Sequence, residues 1–152
     1  MMKNNKVVIV LIALLVILGG VLVFFLIRDQ KMAVIERKTG IDIPEYCDLK
    51  EYVSYGSLFN RTGFEAKFEI DSGEHINELI VMMNNTLGDD YHEIELSDYN
   101  IEKYSLFSGQ KLVPNPSTTS WVIVGPCKSG TLVVFMDVEN DSELYMYMYY
   151  ND

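Results

Sequence analysis

The most prominent pattern along the chain is one unbroken apolar run. Residues 7–27 (VVIVLIALLVILGGVLVFFLI) are uncharged and almost entirely apolar. At 1.5 Å per residue, a helix of that length spans about 30 Å, the thickness of the hydrocarbon core of a bilayer. A cleaved signal peptide has a shorter apolar region and a small-residue cleavage site, which this run lacks. The pattern therefore predicts an uncleaved transmembrane helix, a signal anchor whose first partner is the lipid bilayer.

Shorter segments flank this helix. Residues 1–6 form a short basic tail, and residues 28–38 (RDQKMAVIERK) are predicted to continue the helix as a juxtamembrane stalk. Gly40 and Pro44 should end it, because glycine caps helices and proline disfavours helix at the residue before it. We therefore place the globular domain at residues 39–152, a length sufficient for one hydrophobic core.

Alternating apolar and polar positions predict strands in the domain. Residues 63–70 alternate between an apolar face and a charged face, which is typical of a half-buried strand with one face towards water. The charged face of this strand consists of Glu65, Lys67 and Glu69. The other predicted strands are 49–59, a short one near 92–96, 121–124, 131–139 and 144–150.

One helix of the domain is clearly predicted. Residues 72–87 carry apolar side chains at helical spacing, and Gly88 follows as a stop signal. A helical turn is also expected near 98–105. The resulting order is ββα, a variable middle and then βββ, joined in places by short hairpin turns. This order indicates an α+β fold, with a mostly antiparallel sheet and one helix packed on one of its faces.

The charge is distributed unevenly along the chain. Residues 1–38 have a net charge of +4, whereas residues 39–152 have a net charge of −14, which gives −10 for the whole chain. Phosphate backbones repel so acidic a domain, so nucleic acid is excluded as an expected partner. A basic protein partner would be favoured through electrostatic steering.

The basic residues near the apolar run bear on its orientation. The positive-inside rule compares Lys and Arg on the two sides, and two lie in residues 1–6 against four in residues 28–38. The raw count slightly favours a cytoplasmic domain, although the four charges are spread over the whole stalk. Because a short basic tail before one apolar helix is typical of a signal anchor, we expect an extracytoplasmic domain.

Two cysteines, Cys47 and Cys127, permit one disulfide bond in an exported domain. The bond would close a loop of about 80 residues and could add about 4 kcal/mol of stability. The alternative is a pair of buried free thiols, which behave as small apolar side chains.

Enzyme signatures are scarce in this sequence. His75 or His92 could form a Cys–His pair with either cysteine, but no motif near them lowers a thiol pKa. An acidic cluster could supply oxygens to Ca²⁺, yet it lacks the spacing of a helix-loop-helix site. We therefore predict no catalytic residue, metal or cofactor, and keep as an alternative a small hydrolase using Cys127 or the acidic cluster. The acidic cluster consists of Asp89, Asp90, Glu93, Glu95 and Asp98.

The last predicted strand has phenol side chains along one face. Tyrosine suits binding surfaces, because it combines a large ring with a polar tip. A contiguous apolar patch on a soluble domain often marks a binding site, and two residues of the neighbouring strand could extend this one. The hypothetical binding residues are Tyr145, Tyr147, Tyr149, Val133 and Phe135.

Two other interpretations of the phenols remain open. Cross-strand aromatic pairs stabilise sheets, and residues 98–117 could form a second layer over that face. As a function, we expect a membrane-anchored module that binds another protein or an envelope component by recognition. The alternative is an inhibitor or immunity-type protein that acts on a basic partner at the membrane.

Overall fold

The structure, a computed structural model, consists of two compact units, Met1–Val34 and Ile35–Asp152. It describes residues 3–56, 61–87, 92–93, 111–114, 118–127, 130–140 and 143–152. The helices are α1, Lys3–Thr39, and α2, Glu74–Leu87. The strands are β1, Cys47–Gly56; β2, Arg61–Ile70; β3, His92–Glu93; β4, Thr119–Cys127; β5, Gly130–Asn140; and β6, Glu143–Asn151.

Helix α1 contains the apolar run and is long and apolar enough to span a membrane. Its large apolar side chains between Ile9 and Ile27 are each 48–69% exposed. A helix that is apolar all round requires an apolar environment on every side. This exposure is therefore the main observation that favours insertion into a bilayer.

Helix α1 ends at Thr39, within the second unit. Gly40 adopts a φ of 79°, and its N–H donates to the carbonyl oxygen of Glu36 at 2.7 Å. The Thr39 hydroxyl donates to the carbonyl oxygen of Ile35 at 2.8 Å and accepts from the N–H of Ile41 at 3.2 Å. Glycine tolerates the left-handed conformation that this termination needs, as the sequence signal at Gly40 predicts.

The strands form one sheet in the order β1-β2-β6-β5-β4-β3, and every neighbouring pair is antiparallel. The part of the chain that the structure describes combines this sheet with two helices, which is the α+β class predicted from the sequence. Strand β6, which carries the phenols, lies between β2 and β5. The phenols are thus in the interior of the sheet, where both neighbouring strands supply cross-strand partners.

Both faces of the sheet are buried over its centre. One face carries Phe64, Phe68, Met146, Met148, Val134 and Met136, all fully buried. The opposite face, called the phenol face below, carries Tyr145, Tyr147, Tyr149, Glu65, Val133 and Phe135. Burial on both faces explains why the five residues Leu132–Met136 of β5 are all apolar and do not alternate with polar residues.

Candidate functional site

The predicted binding residues lie together on the phenol face. Val133, Phe135 and Tyr149 are fully buried, Tyr147 is 6% exposed and Tyr145 is partly buried. They form one hydrophobic cluster with other side chains, so they do not make the exposed patch that the sequence analysis assumed. The other members of this cluster are Leu112, Val122 and, at its margin, Val53 and Val124.

A short segment, residues 111–114, covers part of the phenol face, and we call it the strap. Leu112 and Pro114 are buried, whereas Lys111 and Val113 are exposed. The strap belongs to the stretch 98–117 that the sequence analysis considered as a second layer, and the rest of that stretch lies outside the described residues.

Glu65 holds the strap through its main chain. Its carboxylate is fully buried and accepts the N–H of Leu112 at 2.6 Å and the N–H of Lys111 at 3.0 and 3.1 Å. The Tyr55 hydroxyl, on the neighbouring strand β1, also donates to this carboxylate. The described donors to the Glu65 carboxylate are therefore all neutral dipoles.

Two tyrosine hydroxyls complete this arrangement. The Tyr149 hydroxyl donates to the carbonyl oxygen of Leu112 at 2.5 Å, so both main-chain polar groups of Leu112 are satisfied by side chains of the sheet. Burial, and then the hydrogen bond to Glu65, raise the pKa of Tyr55 above its ordinary value. Tyr55 therefore stays a neutral donor at physiological pH.

The prediction that Glu65 lies on a water-facing side of its strand is wrong, because its side chain is fully buried. Lys67 and Glu69, which share that face, are partly exposed. The strap lies over Glu65, and its N–H groups replace the water that a carboxylate otherwise needs. Sequence reasoning missed Glu65 since no local signal separates it from the other two charged positions.

The end of the phenol face near Tyr145 is organised around a lysine. The ammonium of Lys67 lies 3.9 Å from the ring centroid of Tyr145 and 5.5 Å from that of Tyr147. Such cation–π contacts are worth about 0.5–1 kcal/mol when they are exposed. Here the ammonium lies over both rings, beside Glu69 and Asp137, which are the cross-strand neighbours of Tyr145.

The hypothetical disulfide is not present, and the alternative left open by the sequence describes the two cysteines: Cys47 and Cys127 are free, buried thiols. Cys47 begins β1 and Cys127 ends β4, so three strands lie between their own two in the sheet. Four strand spacings correspond to about 19 Å, whereas bonded cysteines need Cα atoms within about 7 Å. The expected bond is therefore excluded by strand order, which the spacing in the sequence did not reveal.

Both thiols lie in environments that disfavour reactivity. Burial, and then the charge of Asp71, raise the pKa of the Cys47 thiol to about 12. The Cys127 thiol donates to the carbonyl oxygen of Thr39 at 2.7 Å. Because thiolates are the nucleophilic form, neither environment resembles that of a reactive cysteine.

The candidate histidine and acidic residues do not assemble a site in the described part of the chain. The Nδ1 atom of His75 lies 2.6 Å from a carboxylate oxygen of Asp71, and its ring stacks on Tyr46 at 4.0 Å. His92 and Glu93 form β3, and the other four members of the acidic cluster lie outside the described residues. Among the described residues, no three His, Cys, Asp or Glu side chains are placed to hold a metal ion.

The phenol face thus presents one chemical capability. Glu65 accepts main-chain N–H groups, Tyr149 donates to a main-chain carbonyl, and the aromatic cluster receives an aliphatic side chain. In this chain these groups hold the main chain and one side chain of the strap. No family model, no curated protein and no solved structure matches this chain.

Proposed function

We propose that this protein is a single-pass membrane protein whose acidic domain lies outside the cytoplasm and binds another protein or an envelope component, without turnover. The observation that supports the membrane anchoring in this proposal is the exposure of the apolar side chains of α1 between Ile9 and Ile27. Each such side chain gains about 1.5–3 kcal/mol on leaving water, so the helix strongly favours lipid over an aqueous environment. The domain then acts close to the bilayer.

Membrane fractionation tests this anchoring. We expect the full-length protein to sediment with membranes after alkaline washing and to be released by detergent, because residues 7–27 span the hydrocarbon core. A variant that lacks residues 1–27 should stay in the supernatant. Full-length protein in the supernatant without detergent would contradict the proposal.

Protease treatment of intact cells tests the orientation within the same experiment. An extracytoplasmic domain is digested without permeabilisation, and a cytoplasmic control protein in the same cells must remain intact. Survival of residues 39–152 until the membrane is opened would place the domain in the cytoplasm. That result would overturn the proposed extracytoplasmic location of the domain, but it would leave the evidence for membrane anchoring unchanged.

A second candidate function is that of an inhibitor or immunity-type protein acting on a basic partner. The charge of −14 on residues 39–152 favours it, because such a field attracts basic proteins and accelerates their association. We expect capture of a basic partner to weaken at least about tenfold between 50 mM and 500 mM salt, since exposed charges are screened over that range. Binding that does not change with salt would favour the first candidate.

A small hydrolase, the remaining alternative from the sequence, has less support. Both thiols are buried, and the pKa of Cys47 is raised to about 12, which keeps it protonated and a poor nucleophile. His75 is paired with Asp71 at the start of α2. The described candidate groups therefore have structural partners, which favours a protein that acts by recognition.

A further inference from the structure

The first turn of α1 beyond the apolar run carries two basic side chains. Arg28 follows Ile27 directly, and Lys31 lies three positions further along the same unbroken helix, Lys3–Thr39. Residues three positions apart in a helix are neighbours on one side of it, so these two positive charges lie close together. Like charges so placed repel each other, and an anion that contacts both of them removes that repulsion.

The acidic residues of this part of α1 lie on another side of the helix. A helix turns by about 100° per residue, so Asp29 and Glu36 lie about 100° and 80° from Arg28 in one direction. Lys31 lies about 60° from Arg28 in the other direction. Residues one or two positions apart do not face each other, so Asp29 faces neither basic side chain. Helical geometry therefore separates the positive charges of this turn from the negative ones.

The two basic residues lie at the depth of lipid headgroups when residues 7–27 span the hydrocarbon core. With a rise of about 1.5 Å per residue, Arg28 and Lys31 are about 2 Å and 6 Å beyond Ile27 along the helix axis. The headgroup layer on each side of the core is about 5–8 Å thick. Arg37, by contrast, is about 15 Å beyond Ile27, outside that layer. Arg28 and Lys31 are therefore the basic residues of the stalk that lie level with lipid phosphates.

We propose that Arg28 and Lys31 form a binding site for the phosphate of an anionic phospholipid. The guanidinium and the ammonium contact one phosphate, whose charge offsets their mutual repulsion, and the planar fork of arginine matches the geometry of phosphate oxygens. The lipid lies in the leaflet nearest to residues 39–152 and has a headgroup of net negative charge. The proposal rests on the proposed membrane anchoring, and it names a ligand class for the anchored chain.

The net charge of the chain predicts the opposite preference. With −10 overall and −14 on residues 39–152, the protein is repelled by an anionic bilayer at long range. The screening length is about 8 Å at physiological ionic strength, so charges on the domain act only weakly across that distance. Two basic groups in contact with a phosphate are hardly screened, and they decide which lipid lies beside the helix.

The test measures lipid binding to the full-length protein in detergent micelles by native mass spectrometry. Phosphatidylglycerol and phosphatidylcholine with the same acyl chains are added at equal concentrations. We expect phosphatidylglycerol to bind at least about threefold more tightly than phosphatidylcholine, because each basic residue near an anionic surface attracts it by about that factor or more. Equal binding of the two lipids would overturn the proposal.

Variants that each remove one positive charge locate the site. Lys31→Gln and Arg28→Gln should each reduce the preference for phosphatidylglycerol at least about threefold. Arg37→Gln is the matched control and should leave the preference unchanged, since residue 37 lies outside the headgroup layer and about 180° from Arg28 on the helix. Glutamine forms helices well, so all three variants keep the helix. Equal losses in the three variants would overturn the proposal, because lipid preference would then follow net charge alone.

Inorganic phosphate distinguishes a lipid site from a site for free phosphate. Sodium phosphate and sodium chloride at equal ionic strength should displace phosphatidylglycerol to the same extent, because screening is their shared effect. Stronger displacement by phosphate would assign the two basic residues to a soluble anion and overturn the lipid site. Failure of any of these tests leaves the membrane fractionation result intact, so it is distinguishable from failure of the proposed anchoring.

Discussion

Replacing Glu65 with alanine is expected to lower the free energy of unfolding of the domain by about 3–5 kcal/mol. The substitution removes the carboxylate that accepts the N–H groups of Lys111 and Leu112 and the Tyr55 hydroxyl. Each polar group left unsatisfied in a buried site costs about 1–3 kcal/mol. Urea titration of the full-length protein in micelles measures the loss, with Trp121 fluorescence as the signal, because the single tryptophan lies in the domain.

Glu69→Ala is the matched control for this prediction. Glu69 lies on the same strand and the same face as Glu65, but its side chain is 41% exposed and pairs with Lys50. Because exposed ion pairs contribute about 0–1 kcal/mol, we expect a small loss in this variant. The Glu65→Gln variant keeps one oxygen acceptor, so its loss in free energy of unfolding should lie between those of the two alanine variants. Equal losses in the two alanine variants would show that Glu65 does not hold the strap.

The regular elements of the fold were predictable because local patterns determine them. Strand β2 follows the strict alternation of Phe64–Ile70, and α2 follows the helical spacing that ends before Gly88. The end of α1 at Thr39 follows from the glycine beside it. In each case the signal lies within one element, so periodicity and capping rules are sufficient.

The burial of Glu65 could not be predicted from such patterns. Its carboxylate is buried because the main chain of Lys111 lies over it, 46 residues further along the chain. Alternation assigns a residue to a face of its strand, but it does not show what covers that face. The same limit applied to Tyr149, whose face was identified from the sequence while its burial was left open.

The choice between a disulfide and two buried free thiols was left open for a related reason, and the structure has the free thiols. Two cysteines in a domain of this size make a bond plausible on composition, but the bond depends on which strands are neighbours. The insertion of β6 between β2 and β5 separates Cys47 from Cys127 across the sheet. Cys127 instead meets the carbonyl of Thr39, at the end of α1.

The end of β6 and the end of α1 are connected by a small polar cluster. The Lys38 ammonium pairs with the carboxylate of Asp152 and lies 4.8 Å from the ring centroid of Tyr150. The Tyr150 hydroxyl donates to the same aspartate. Residues 151 and 152 therefore link the central strand of the sheet to the last turn of α1, and any change that displaces them also loosens that turn.

Gly130→Ala should cause such a displacement and lower the free energy of unfolding by about 3 kcal/mol. A Cβ at position 130 would overlap the carbonyl oxygen of Asn151 and lie 2.7 Å from its carbonyl carbon. These are main-chain atoms, and Asn151 is held in register with Gly63 on one side and Thr131 on the other. Relief therefore requires the end of β6 to leave the sheet. Urea titration measures the loss, and faster exchange of the Asn151 amide locates it.

Gly73→Ala provides the contrast, since a Cβ there meets only the Leu144 side chain, at 3.9 Å, an ordinary van der Waals contact. This variant should be neutral or more stable by up to about 1 kcal/mol, because alanine restricts the unfolded chain.

If strain at Asn151 acts by releasing Asp152, then Lys38→Met should add little to the loss in the Gly130→Ala background, although it is destabilising alone. If the losses in free energy of unfolding of the two single variants instead add up in the double variant, then the Cβ of Ala at position 130 is accommodated without release of the end of β6. The contact between β6 and α1 would then not depend on Gly130.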